Sequence, residues 1–146
     1  MDAFDRLRKW HHPIQNQFDP IAAATDDPSF KAATRRLRSE FEYYISLEED
    51  LLFPIFERHD LLRDMTFKIR QHNLEIKRMA QALSESSFQT EQARISLARL
   101  HELMHENFKL EETQLIPLAA KTLTRDEIKN ADDAVAGVLS PSRVAA

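Results

Sequence analysis

The chain has 146 residues, enough for one domain with a sizeable core, and a single glycine among 42% hydrophobic and 30% charged residues points to helices rather than β-turns. The absence of cysteine excludes disulfides, thiolate metal sites, thiol redox chemistry and a cysteine nucleophile. The net charge is −4 with basic residues scattered among acids, so no nucleic-acid surface is expected; no apolar run of about 18 residues predicts a membrane span, and the mixed-charge start Met1-Asp2-Ala3-Phe4-Asp5-Arg6 makes the cytoplasm the expected compartment.

In chain order, a first helix is predicted from about Asp2 to Gln17, with Phe4, Leu7, His11, Ile14 and Phe18 on one stripe. Pro13 removes a donor and crowds the carbonyl of Lys9, so a kink near His11 is expected. Asp19-Pro20 and Asp26-Asp27-Pro28 are turn-like, with Asp27 the expected N-cap of a second helix from about Pro28 to Arg58. Its stripe is Phe30, Ala33, Leu37, Phe41, Tyr44, Glu48, Leu52 and Ile55, bent or thinned at Pro54 and closed by His59-Asp60 as a capping or surface pair. A third helix from about Leu62 to Ser84 or Ser86 carries Met65, Ile69, His72, Ile76, Met79 and Leu83. Thr90 caps a fourth, Glu91 to Thr122, with Leu100, Met104, Asn107, Phe108, Glu111, Leu115 and Leu118 inward. Thr124 and Glu127 form a capping box that opens a short fifth helix to about Ala136, where Gly137 suits the left-handed residue after a helix end. Its small apolar residues, Ile128, Ala131, Ala134 and Val135, suit either the bundle's end or another subunit, and Val138 onward reads as a loose tail. The short links predict an all-α fold: an antiparallel up-down-up-down four-helix bundle over 1–123, an accessory helix over 124–137 and a tail over 138–146.

One stretch occurs twice. Leu47-Glu48-Glu49-Asp50-Leu51-Leu52-Phe53-Pro54 and Leu110-Glu111-Glu112-Thr113-Gln114-Leu115-Ile116-Pro117 both read L-E-E-x-x-L-x-P. In each, the first glutamate lies on the apolar stripe. An unpaired carboxylate in an apolar interior is neutralised, paired or placed on a metal, and His11 and His72 lie on the facing stripes. The pattern predicts four helices around a polar centre.

Over residues 4 to 120, the run His11-His12-Pro13-Ile14, the repeat from Glu48 to Pro54, His72, and Leu110-Glu111-Glu112 with Pro117 resemble the hemerythrin-like, or HHE cation-binding, domains. The resemblance implies a four-helix bundle around a non-haem di-iron pair with histidine terminal ligands and two bridging glutamates. It also implies roles in binding or sensing oxygen, in iron sensing and storage, or in reactions of peroxide or nitric oxide. The family's H-x-x-x-E places a histidine one turn before each bridging glutamate, and here those positions are Tyr44 and Asn107. Carried over residue by residue, the expected metal set is His11, Tyr44, Glu48, His72 and Glu111. A phenolate oxygen is a hard donor suited to ferric iron, so one or two iron ions per chain in a ferric-leaning centre are expected. Asn107 offers a carbonyl oxygen or a hydrogen bond to Glu111 or to water. The expected small ligand is oxygen, peroxide or a relative.

Alternatives stay open. His12 points about 100° from His11 on an ideal helix and is expected in solvent unless Pro13 rotates the register. His101 and His105 lie one turn apart but off the Glu111 face, and each is a substitute ligand only after a register shift. Glu49 and Glu112 are expected to be solvated. The competing reading is a metal-free bundle in which imidazolium–carboxylate contacts fill the core and the protein acts as an interaction or oligomerisation module, self-associating through its C-terminal helix.

Overall fold

The computed structural model describes residues 2–138, and among these there is helix and no strand. Helix α1 (Ala3–Asn16) is capped by the Asp2 side chain, which accepts from the Asp5 N–H, and it runs on through Pro13. Phe4, Leu7, Trp10, His11 and Ile14 are buried at the spacings of three and four that mark a core-facing stripe. The following link, expected to be a turn, winds into a short helix α2 (Phe18–Ala22), because Phe18 and Ile21 are drawn inward and the segment packs on the next helix.

Helix α3 (Asp27–Leu47) starts one residue earlier than its Asp27-Pro28 pattern predicts. Asp26 is the cap, its Oδ1 accepting from the Ser29 N–H at 2.8 Å. Asp27 is thereby left to bond elsewhere, and its Oδ1 accepts from the Phe88 N–H at 2.9 Å, tying the start of α3 to the loop that leads to Thr90.

Both copies of the repeat leave the α-helical path. Residues Glu48–Leu52 (π1) and Glu111–Leu115 (π2) are π turns, in which the Phe53 N–H donates to the Glu48 carbonyl and the Ile116 N–H to the Glu111 carbonyl, five residues back. Pro54 and Pro117 then sit in the first turn of α4 (Phe53–Phe56) and of α7 (Ile116–Thr122), where a missing N–H costs least. In a straight α-helix each proline ring would crowd the carbonyl four residues back. The bend expected at Pro54 thus takes the form of a widened turn.

Helix α5 (Asp60–Ser84) begins after His59, which stands at its N-cap position instead of closing the helix before it. Helix α6 (Glu91–Leu110) is capped by Thr90, whose Oγ1 accepts from the Ala93 N–H at 3.1 Å. Helix α8 (Arg125–Val138) opens with the capping box: the Glu127 N–H donates to Thr124 Oγ1 at 3.2 Å, and the Thr124 N–H to Glu127 Oε1 at 2.9 Å. The predicted left-handed stop at Gly137 is not used. No described glycine has positive φ, and α8 continues through Gly137 to Val138, since the solvated position calls for no turn. The predicted tail beyond Val138 lies outside the described residues.

Side-chain pairs fix how the rods lie. Phe4 meets Phe56 while His11 meets Tyr44; Arg38 meets Ser84 while Glu57 meets Arg70; Arg99 nears Glu75 while Asn107 meets His72. Numbers rise in one member of each pair as they fall in the other, so neighbouring rods run antiparallel. Helix α8 lies on its own bundle against α1 and π1. It is held there by the Ala3 N–H donating to Asp132 Oδ1 at 2.6 Å and by His59 Nε2, 2.7 Å from Glu127 Oε1. Trp10, Phe41, Tyr44, Phe53, Phe56 and Phe108 are fully buried, and apolar side chains of this size contribute about 1.5–3 kcal/mol each when removed from water. No described helix is long and apolar enough to cross a membrane.

Candidate metal centre

The bundle interior is polar at one level, where α1, the end of α3, both π turns, the middle of α5 and the end of α6 meet. His11, Tyr44, Glu48, Asn73, Asn107 and Glu111 are all buried there. Tyr44 Oη donates to Glu111 Oε2 at 2.7 Å, His11 Nε2 lies 2.9 Å from the same oxygen, and His11 Nε2 and Tyr44 Oη are 2.5 Å apart. The other face of the imidazole is fixed too. His11 Nδ1 lies 2.8 Å from Glu112 Oε1, and the ring stacks on Phe108 at 4.0 Å and 9°.

The orientation of the His11 ring follows from these partners. The hydrogen bond from His11 holds Glu112 below the usual carboxylate range, so Glu112 is ionised and Nδ1 donates to it. Nε2 then faces the core, the arrangement in which a second carboxylate orients a ligating histidine. Glu112, expected in solvent, is 41% exposed and yet orients the ring. Its counterpart Glu49 is half-buried, 3.9 Å from Arg70 Nη1. The two second glutamates of the repeat therefore differ in role.

Burial dominates the electrostatics. Desolvation, and then the neighbouring Glu111 charge, push the Glu48 carboxyl well above its ordinary range, while Glu111 is raised by burial to about 7. Burial and the Glu111 charge both favour the protonated form of Glu48, an arrangement in which two adjacent buried carboxyls titrate as a pair. Burial also drives the Tyr44 phenol well above its ordinary value, ahead of the repulsion from Glu111 and Glu48. Tyr44 is a phenol, not a phenolate, in this state.

Beyond Glu48 the network passes through amides. Asn73 Nδ2 donates to Glu48 Oε1 at 3.1 Å, and Asn107 Nδ2 donates to Asn73 Oδ1 at 3.1 Å. Asn107 Oδ1 lies 3.1 Å from His72 Nδ1. His72 is half-buried and meets the carboxylates only through these two amides. Of the substitute ligands, His12, His101 and His105 are exposed. His101 packs its ring on Phe18, and His105 Nδ1 lies 3.4 Å from Gln15 Nε2.

The donor set at the inner end fits a hard cation. Around an octahedral ion with bonds of about 2.1 Å, adjacent donors lie roughly 3 Å apart; the triangle of His11 Nε2, Glu111 Oε2 and Tyr44 Oη has edges of 2.5, 2.7 and 2.9 Å. Glu111 Oε1 is buried with no hydrogen-bond partner. Among the described residues, no three His, Cys, Asp or Glu side chains are grouped to hold a metal ion; the third corner of the triangle is the tyrosine.

Asn73 was not legible as a site residue, and neither was the orienting role of Glu112; the doubled glutamate of the repeat was the one available signal for the latter. No curated protein and no solved structure matches the chain. The sequence pattern of the hemerythrin HHE cation binding domain matches residues 2–119. A match over most of the chain, together with two core glutamates one turn after Tyr44 and Asn107, shows that the chain belongs to the hemerythrin HHE cation-binding domain family.

Proposed function

We propose that the protein binds non-haem iron through His11, Tyr44, Glu48 and Glu111, with His72 joined through the Asn73–Asn107 pair, and that it binds, senses or reacts with oxygen, peroxide or a related small ligand. The observation that supports this most is the triangle of one imidazole nitrogen, one carboxylate oxygen and one phenol oxygen, closed by a second buried glutamate. Iron held there supplies one-electron redox chemistry toward the small ligand. The chain's own part is to hold protons and orientation. Glu112 fixes the His11 ring so that Nε2 faces inward, Asn73 fixes Glu48, and Glu48 and Tyr44 keep their protons as long as no cation neutralises the centre. Phe41, Trp10 and Phe108 border Tyr44 and keep water from it.

Metal content measured by mass spectrometry, with the visible spectrum of the same sample, tests the reading. Iron at one or two per chain is expected, with a broad visible band that disappears in Tyr44→Phe and stoichiometric iron lost in Glu48→Ala/Glu111→Ala. Iron content unchanged in the double variant refutes the site. One observation favours the metal-free alternative: Tyr44 and Asn107 join the histidines to the glutamates in a continuous hydrogen-bonded chain. That reading gains if no iron is taken up after anaerobic reconstitution with ferrous iron.

A further inference from the structure

In a chain without cysteine, tryptophan and tyrosine are the side chains that most readily give up a single electron, and this chain has one tryptophan and two tyrosines. All three form one column. Trp10 and Tyr44 meet edge-on with ring centroids 5.1 Å apart, and Trp10 and Tyr43 with centroids 5.5 Å apart. Tyr44 and Trp10 are fully buried, whereas Tyr43 is half-buried and its Oη donates to the Val138 carbonyl at an exposed position. The inner end of the column is thus the phenol that touches His11 and Glu111, and the outer end is at the surface between α1 and α8. The other rings around Tyr44, Phe41 and Phe108, are phenylalanines, which are far harder to oxidise.

We propose that Tyr43, Trp10 and Tyr44 conduct single electrons between the surface and the centre, with a small one-electron reductant of the ascorbate class as the outer donor. The use of those electrons, reduction of a peroxide at the centre, rests on the iron reading above; conduction along the column does not. Reduction of a peroxide to water or alcohol consumes two electrons and two protons, so two passages are needed, and a donor of this class releases one proton with each electron. In the metal-free protein, where Tyr44 is a phenol, loss of its electron passes the phenolic proton to Glu111 Oε2, 2.7 Å away, and the proton returns when an electron arrives from Trp10. Trp10 and Tyr43 are each oxidised and reduced once per passage, with no net change.

The test uses metal-free protein in chelator. A one-electron oxidant, photo-oxidised ruthenium tris-bipyridine, is generated by a flash, and the protein radical is trapped by freezing and read by electron paramagnetic resonance. Wild-type protein is expected to give a phenoxyl radical on Tyr44, recognised as the signal missing in Tyr44→Phe. That signal is lost in Tyr43→Phe and in Trp10→Phe and returns in Trp10→Tyr, which keeps an oxidisable ring; this rescue separates conduction from packing. Should Trp10→Phe fail to fold, the half-buried Tyr43→Phe carries the same test. No Tyr44 radical in the wild type, or an undiminished one in a folded Trp10→Phe or Tyr43→Phe, overturns the proposal. Failure of the iron reading is seen separately, in the metal content.

Discussion

Glu111→Gln isolates the cost of keeping a carboxylate in this core. The unfolded chain binds the Glu111 proton with a pKa of 4.5 and the folded chain with one of about 7. At 1.36 kcal/mol per tenfold change in proton affinity, folding loses about 3 kcal/mol once the group is ionised in both states. The direction follows from the raised value. Below pH 4.5 the carboxyl is protonated in both states and the loss is absent. Between pH 4.5 and about 7 the unfolded chain ionises first and the folded state loses stability as pH rises; above about 7 the loss is complete. Glutamine does not titrate. In metal-free protein with chelator, the variant should therefore match the wild type near pH 4.5, apart from a constant offset, and gain on it progressively, to about 3 kcal/mol at pH 8. For a chain of this size that is roughly 6–12 °C in Tm. Denaturant titrations of both proteins every half pH unit measure the difference directly. A difference that stays constant from pH 4.5 to 8, or shrinks as pH rises, would show that Glu111 is not desolvated as the burial of its side chain requires.

Two further outcomes are expected. Thr90→Ala removes the acceptor of the Ala93 N–H and should cost about 1 kcal/mol in a denaturant titration, with no change in metal content; a cost near zero would show that solvent caps α6 equally well. Pro54→Ala combined with Pro117→Ala returns a donor to each junction, so π1 and π2 should revert to α-helical bonding. The carboxylates then turn, and iron affinity should fall roughly 10–100-fold, as when the orientation of a ligand is lost. Survival of the Phe53-to-Glu48 and Ile116-to-Glu111 bonds in a crystal structure of that variant would assign the widened turns to the glutamates instead of the prolines.

The stripes of His11, Tyr44, Glu48, Asn107 and Glu111 were legible because each recurs at spacings of three and four among large apolar residues, and all five side chains are buried together. On α5 the same rule was ambiguous. From Ile69 to Ile76 the steps can run through residue 72 or through residue 73, and both satisfy the period. The structure buries Asn73 and leaves His72 at the edge, since Asn73 can bond Glu48 and Asn107 at once. A polar neighbour across the core decided the matter, and periodicity carries no information about that. The form of the Pro54 junction was hidden for a related reason: proline announces a disturbed ladder but not whether the helix bends, stops or widens. At Asp26-Asp27, two adjacent residues are equally able to cap, and the Phe88 N–H, 61 residues away in the sequence, claims one of them.

The bond between the Ala3 N–H and Asp132 joins residues 129 apart, and His11 reaches Glu112 across 101. Closing a flexible loop of the longer length costs about 4 kcal/mol of chain entropy, which only the finished packing offsets. On the ribosome, α1 is made before α6 and α8, which cover two of its sides. Helix α1 must therefore wait with part of its apolar stripe uncovered until α6 and α8 have emerged. His11, Tyr44, Glu48 and Glu111 are brought together only when α6 has closed on α1.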